Sequence, residues 1–180
     1  RGVLADLDIN IFQMQDGVQG FTSYAQELKW LVTDPERIDH LSSIINGLSD
    51  SGNTLVLIDR IKTGEMFKER NTDWAFISGA MKVKDRQEEY AEVSDMDNKV
   101  IVATYGVAAV GINIPRIFNL VLLEPGKSFV RVIQSIGRGS RKAEDKDYLQ
   151  VIDVTSNLKY SKRHLTKRKA FYKEQSFKFQ

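Results

Sequence analysis

Five short runs along the chain are almost continuously apolar and rich in β-branched residues: 54–58, 74–77, 100–104, 120–123 and 149–154. A strand with one wet face alternates apolar and polar positions. Unbroken apolar runs of this length mark strands covered on both faces, as in parallel sheets. Helix-like stretches at 61–69, 84–93 and 128–137 lie between them. Strand alternating with helix predicts right-handed βαβ units in an open, doubly wound α/β sheet with helices on both faces. The short, glycine-containing segment 105–117 reads as a functional loop with one helical turn. Upstream, 34–48 reads as a helix, with Asp34 as N-cap, Pro35 at the first helical position and Gly47 near the end. Earlier still, 4–14 carries the alternating Asp8-Ile9-Asn10-Ile11-Phe12, a strand, followed by a polar connection over 15–23.

These boundaries predict three parts. Residues 1–33 are an entering strand and linker from an upstream domain, 34–155 the α/β core, and 156–180 a basic helical tail. The chain opens with Arg1-Gly2 and not Met, as expected of a piece of a longer protein.

Composition narrows the function class. A chain of 180 residues, 42% apolar, suits one domain with appendages. No stretch approaches the ~18 apolar residues that span a bilayer. With no secretory signal pattern, a cytoplasmic setting and no membrane partner are expected. Cysteine is absent, which excludes disulfides and thiolate metal sites. His40 and His164 lie far apart without ligand spacing, so no His-based metal site is expected.

The net charge of +2 is unevenly placed. Between Asn157 and Gln180 stand eight basic residues (Lys159, Lys162, Arg163, Lys167, Arg168, Lys169, Lys173 and Lys178) and one acid, Glu174. That segment carries +7, which leaves −5 for the rest. A solvated terminal helix and a tail that meets a polyanion both fit. The interleaved Tyr160, Phe171, Tyr172, Phe177 and Phe179 favour a tail that packs or stacks.

Two blocks carry candidate chemistry. The first is Gln134-Ser135-Ile136-Gly137-Arg138-Gly139-Ser140-Arg141. On a helix from near Lys127, at about 100° per residue, Gln134, Arg138 and Arg141 fall on one stripe with Lys127 and Arg131. Phe129, Val132, Ile133 and Ile136 fall opposite. Arginine is the planar, permanently charged fork that suits phosphate oxygens, and Gly137 and Gly139 leave room for close approach. Alone, the block reads equally as an amphipathic helix with a solvated basic face. The second block runs from Val102 to Pro115, with Thr104 ending a buried strand and Gly111-Ile112-Asn113-Ile114-Pro115 closing a small-residue loop. In open α/β sheets the ligand crevice lies beyond the carboxyl ends of the strands, where Thr104 would offer a hydroxyl to a phosphate. Alone, this reads equally as a plain strand-to-helix loop.

Together the two blocks resemble motifs V and VI of the superfamily 2 helicases, whose patterns are roughly T-x(6)-G-[IL]-D-[IVL]-P and Q-x-x-G-R-x-x-R. Here they stand as Thr104…Gly111-Ile112-Asn113-Ile114-Pro115 and Gln134…Gly137-Arg138…Arg141, in that order with a strand between. Residues 53–61 resemble motif IV. Ile77-Ser78-Gly79 followed by Arg86 resembles the family's strand, Ser/His-Gly, Arg pattern. Residues 2–9 resemble the segment joining two motor domains. The Leu-Ala-Asp-Leu-Asp-Ile-Asn stretch and Ala103-Thr104-Tyr105-Gly106-Val107 are similar to the UvsW-type recombination helicases of T4-like phages. Asn113 departs from the usual Asp: it keeps the size and drops the charge. Gln134 stands where the DEAD-box RNA helicases have His, which favours a DNA translocase.

The resemblance implies a RecA-like open parallel sheet acting as the second motor domain of an ATP-dependent DNA helicase. ATP and Mg²⁺ would be held mainly by an N-terminal RecA-like domain; this chain contains no G-x-x-x-x-G-K-[ST] and no D-E-x-[DH]. The chain alone would therefore be inactive. Arg138 and Arg141 would act as arginine fingers and Gln134 would sense the γ-phosphate or position water. Gly111, Asn113 and Gly137 would lie near the nucleotide. Arg60, Thr63, Ser78, Gly79, Thr104 and Tyr105 would contact single-stranded or branched DNA. The setting would be a cytoplasm, the host's if the protein is phage-encoded. A non-enzymatic nucleic-acid-binding module and an RNA-remodelling helicase domain are the alternative readings.

Overall fold

The apolar runs form the middle of a seven-stranded sheet in the computed structural model, which describes residues 6–17, 20–110, 117–126, 129–133 and 148–180. The elements follow in the order β1 (Asp6–Met14), α1 (Tyr24–Thr33), α2 (Pro35–Ser49), β2 (Asn53–Ile58), α3 (Ile61–Arg70), β3 (Ala75–Ile77), α4 (Val83–Ser94), β4 (Val100–Thr104), α5 (Tyr105–Ala109) and β5 (Ile117–Leu123). Helical residues 129–133 (α6), β6 (Tyr148–Ser156), α7 (Lys159–Glu174) and the short β7 (Lys178–Phe179) complete them. The strand order is β3-β4-β2-β5-β6-β1-β7, and every pairing is parallel.

Period-two alternation inside the apolar runs divides the core between the two faces. On one face Leu55 and Leu57 of β2, Ile101 and Ala103 of β4, Leu120 and Leu122 of β5 and Leu149 and Val151 of β6 pack with α4, α5, α6 and the end of α7. On the other, Val56 and Ile58, Val100 and Val102, Val121 and Leu123, and Ile152 and Val154 pack with α1, α2 and α3. All these side chains are buried, which is why the runs show no polar alternation.

The helix starts follow local chemistry. Asp34 caps α2 by accepting from the Arg37 N–H at 3.1 Å, with Pro35 next to it. Ser23 caps α1 by accepting from Gln26 N–H at 3.2 Å. Gly64 of α3 lies against β3 so closely that a Cβ there would meet the Phe76 ring at 2.2 Å. Among the described residues no helix is long and apolar enough to cross a membrane.

The first and last described strands are both joined to this sheet. β1 pairs with β6 in register from Asp6 opposite Tyr148 to Met14 opposite Ser156, so the expected entering strand is an interior strand. The expected tail supplies α7 and β7. Tyr172 is fully buried, and Phe171, Phe177 and Phe179 pack against the same core. These aromatics therefore build the core and are not stacking groups held in solvent. Arg168, counted above as a tail cation, is buried.

Candidate functional site

The carboxyl ends of the parallel strands form the edge to which sequence reasoning assigns function, and the structure divides the expected residues into two sets. Arg60 follows β2 and is about one-third exposed, with its guanidinium forked on the Asp59 carboxylate at 2.8 and 3.0 Å. Gly79 follows β3, is exposed and has no heavy atom within 4 Å of the position a Cβ would take, so backbone there is open to close approach. Ser78 beside it is largely buried, and its carbonyl accepts from Met81 N–H. Thr104 ends β4 half-buried and caps α5, accepting from Val107 N–H at 3.4 Å. Among the described residues no acceptor takes its hydroxyl proton.

Thr63 and Tyr105 do not reach this edge. Thr63 is fully buried and its hydroxyl donates to the Val32 carbonyl at 2.7 Å, tying α3 to α1. Tyr105 is buried in the core and its hydroxyl donates to the Leu123 carbonyl at 3.0 Å. Burial, then the nearby Asp153 carboxylate, pushes that phenol well above its ordinary range. A β-branched polar residue and an amphipathic aromatic beside a strand end look alike in sequence whether they face solvent or the interior. Their hydrogen-bond partners here decide for the interior.

Gly111, Asn113, Gln134, Gly137, Arg138 and Arg141 lie outside the described residues. The helix that leads to the second block is described over 129–133. There Phe129, Val132 and Ile133 are buried and Arg131 is exposed, the division expected from the helical stripe.

Between β5 and α6 the structure shows a polar cluster that the sequence reading missed. Glu124, directly after β5, has a left-handed φ of 42°, a conformation unusual for a non-glycine residue. Its N–H donates to the Val154 carbonyl at 2.8 Å. Its buried carboxyl accepts from Arg37 Nη2 at 3.3 Å, while Arg37 Nε reaches Asp16 at 3.1 Å. Ser161 Oγ lies 3.1 Å from Glu124 Oε2 and 3.2 Å from Glu27 Oε2. One hydroxyl proton cannot serve two carboxylates. The Ser161 hydroxyl therefore serves Glu124 and Glu27 in turn. Burial raises the Glu124 carboxyl to about 7, against the lowering pull of Arg37, Arg168 and the Ser161 hydrogen bond. Glu27 also accepts from the N–H groups of Tyr160 and Ser161 at 3.1 and 2.8 Å, capping α7 from another helix.

A second buried set adjoins it. Asp153 of β6 accepts from Arg168 Nε and Nη2 and from the Tyr172 hydroxyl, and Arg168 Nη1 donates to the Pro125 carbonyl at 3.0 Å. Burial and the Asp153 carboxylate push the Tyr172 phenol up. The turn from β5 toward α6, Glu124 to Gly126, is thus gripped by one arginine of α2 and one of α7. The readable signal was an acid inside an otherwise apolar strand, Val151-Ile152-Asp153-Val154, which demands a buried cationic partner.

Residues 36–143, more than half of the chain, match the family model of the helicase conserved C-terminal domain. A protein of Sulfolobus islandicus filamentous virus (isolate Iceland/Hveragerdi), placed among helicases by its name, is 28% identical over 145 residues, covering 69% of this chain and 26% of its own length. The ATP-dependent DNA helicase UvsW of Enterobacteria phage T4 is 25% identical over 137 residues, covering 73% of this chain and 27% of its own. The crystal structure of T4 UvsW superposes with a TM-score of 0.80 at 23% identity over 97% of this chain and 40% of that one. The C-terminal domain of the DEAD-box protein Dbp5 gives 0.64 at 15% identity, over 97% of this chain and 89% of that one. The chain spans about a quarter of the length of the curated relatives it matches. It belongs to the helicase conserved C-terminal domain family, with the RecA-like fold of these neighbours, and is related to UvsW.

Proposed function

We propose that this helicase C-terminal domain is the second motor domain of an ATP-dependent DNA helicase or translocase that acts on recombination or branched DNA. The observation that carries the reading is the pair of sequence blocks Thr104…Pro115 and Gln134…Arg141 inside a chain whose fold is that of the family. In this reading ATP sits between the domain and an N-terminal RecA-like domain that carries the phosphate loop and the Mg²⁺ ligands. The donor set here fits that division, because guanidiniums and an amide complement phosphate oxygens and not a cation. Arg138 and Arg141 neutralise charge developing on the transferred phosphoryl group. Gln134 contacts the γ-phosphate or its attacking water, and Gly111, Asn113 and Gly137 lie beside the nucleotide. Bound ATP supplies the closing force between the two domains.

DNA crosses the carboxyl-end edge of the sheet at Arg60, Gly79, the Ser78 backbone and Thr104. These are contacts to sugar and phosphate, so binding is sequence-tolerant and salt-sensitive. Thr63 and Tyr105 are left out of this surface, because both are buried and bonded internally. The setting is the cytoplasm, the host's for a phage protein. Asn113 in place of Asp lowers the negative charge near the nucleotide by one.

The division of labour is tested by assaying the 180-residue chain alone and together with the protein's N-terminal motor domain. The reading expects no ATP hydrolysis from the chain alone and DNA-stimulated hydrolysis from the combination. Turnover by the pure chain would refute it.

A further inference from the structure

We infer that the first two turns of α7, with the cleft beside them, form a second DNA phosphate-binding surface that extends the strand-edge track; this rests on the proposed nucleic-acid reading of that edge. Lys159, Lys162, Arg163 and Thr166 recur at helical spacing and are all exposed. They line a cleft of about 660 Å³ together with Phe21 and Asn157. Lys159 Nζ and Arg163 Cζ lie 5.4 and 5.6 Å from the centre of the Tyr160 ring, whose hydroxyl is anchored on the Thr22 carbonyl at 2.9 Å. That ring holds the two cations over a fixed platform.

Two carboxylates also face the cleft, and both are already engaged. Glu27 is buried and accepts from the α7 N-terminus, and Asp16 is bonded by Arg37 and Ser156. Among the described residues no carboxylate forms an ion pair with Lys159, Lys162 or Arg163. No described carboxylate therefore cancels the charge of this row. It is not the helix N-terminus that draws the anion, because Glu27 occupies those N–H groups.

Position selects the ligand. β6 ends at Ser156 and α7 begins at Lys159, so the row starts at the carboxyl end of β6. Arg60, Thr104 and Ser78 stand at the same end of β2, β4 and β3. In the order β3-β4-β2-β5-β6, at about 4.8 Å between neighbours, the start of the row lies roughly 10 Å from the end of β2. The row itself runs about 10 Å, at about 1.5 Å per residue from Lys159 to Thr166. That is long enough for successive phosphates and too long for one small anion. Cations set among aromatic rings suit a nucleic-acid strand better than an acidic peptide.

The test uses the complete protein and fluorescent single-stranded and duplex DNA, measured by anisotropy from low to moderate salt. The variants are Lys159→Ala/Lys162→Ala/Arg163→Ala, the charge-keeping Lys159→Arg/Lys162→Arg/Arg163→Lys, and Arg60→Ala. The alanine triple variant should lose about tenfold or more in affinity at low salt. Its slope of log affinity against log salt should fall by about two to three, while the charge-keeping variant stays near the parent. Equal loss on RNA and DNA supports a sugar-phosphate surface. Unchanged affinity and slope in the alanine variant, with a parental thermal melt, overturns the inference. Effective competition by polyglutamate at equal charge concentration also overturns it. If Arg60→Ala weakens binding and the triple variant does not, the extension alone fails. If neither weakens it, the strand-edge reading fails as well.

Discussion

Arg168 and Asp153 form a forked, buried ion pair, with Nε 2.8 Å from Oδ2 and Nη2 2.9 Å from Oδ1. It joins the C-terminal helix α7 to the interior strand β6. The same guanidinium reaches the Pro125 carbonyl, so helix, strand and the turn toward α6 share one charge. Burial works against the arginine's charge, and the carboxylate outweighs that, so its net shift is upward.

Breaking this pair from one side should strongly destabilise the domain. Arg168→Ala or Asp153→Ala leaves a buried charge without its partner, at a cost of about 3–5 kcal/mol. Urea unfolding followed by circular dichroism measures it. Arg168→Met with Asp153→Leu should recover much of the loss, since an apolar pair of similar size removes both charges together. A loss below about 1 kcal/mol in either single variant would contradict the assigned burial.

Glu124 predicts a pH dependence of stability. Its carboxyl is raised to about 7 by burial, above its value in the unfolded chain. The folded state then holds the proton more tightly than the unfolded state. The associated stability is complete below the unfolded value, near 4.5, and is lost as pH rises through about 7. Glu124→Gln keeps a neutral hydrogen-bonding group, so it should flatten the fall in melting temperature between pH 5 and 8. A parental pH profile in that variant would assign the titration elsewhere.

Two glycines should respond in opposite directions. Gly64→Ala drives a Cβ into the Phe76 ring, which must shift or compress, at a cost of about 1–3 kcal/mol. Gly47, inside α2, has nothing within 4 Å of its Cβ position, so Gly47→Ala should stabilise by about 0.5–1 kcal/mol. Chemical denaturation of both variants checks the packing of α3 on β3 against an internal control.

Tyr105 separates a core role from a DNA-facing one. Tyr105→Phe removes the hydroxyl bond to Leu123 and should cost about 1 kcal/mol of stability. It should leave DNA affinity unchanged, whereas Arg60→Ala should weaken binding across sequences alike. Loss of DNA affinity in the phenylalanine variant would return that residue to the surface set.

The sheet was legible because burial on both faces leaves an unmistakable trace. Runs such as Leu55-Val56-Leu57-Ile58 can be covered only on two sides. Helix α2 was legible through Asp34-Pro35 at its start. Less visible was the membership of β1 in the sheet. Its alternating polar residues suggested a strand entering from an upstream domain, and pairing between Ile9 and Val151 is a contact no local pattern reveals. Helix α1 was missed although Ser23 and Gln26 form a capping pattern. At the strand edge the side-chain orientations were legible only in part. Arg60 and Gly79 face outward, whereas Thr63 and Tyr105 turn inward to carbonyls of α1 and β5. Arg37–Glu124 and Arg168–Asp153 join distant segments, so their partnership exists only after folding.

In the proposed function, Arg138 and Arg141 act as arginine fingers on ATP held by a companion domain. DNA-stimulated ATPase of the complete protein carrying Arg138→Ala, measured beside its ATP affinity, tests this most directly. Turnover should fall about 10³-fold or more with ATP binding largely retained. Parental turnover in that variant would contradict it.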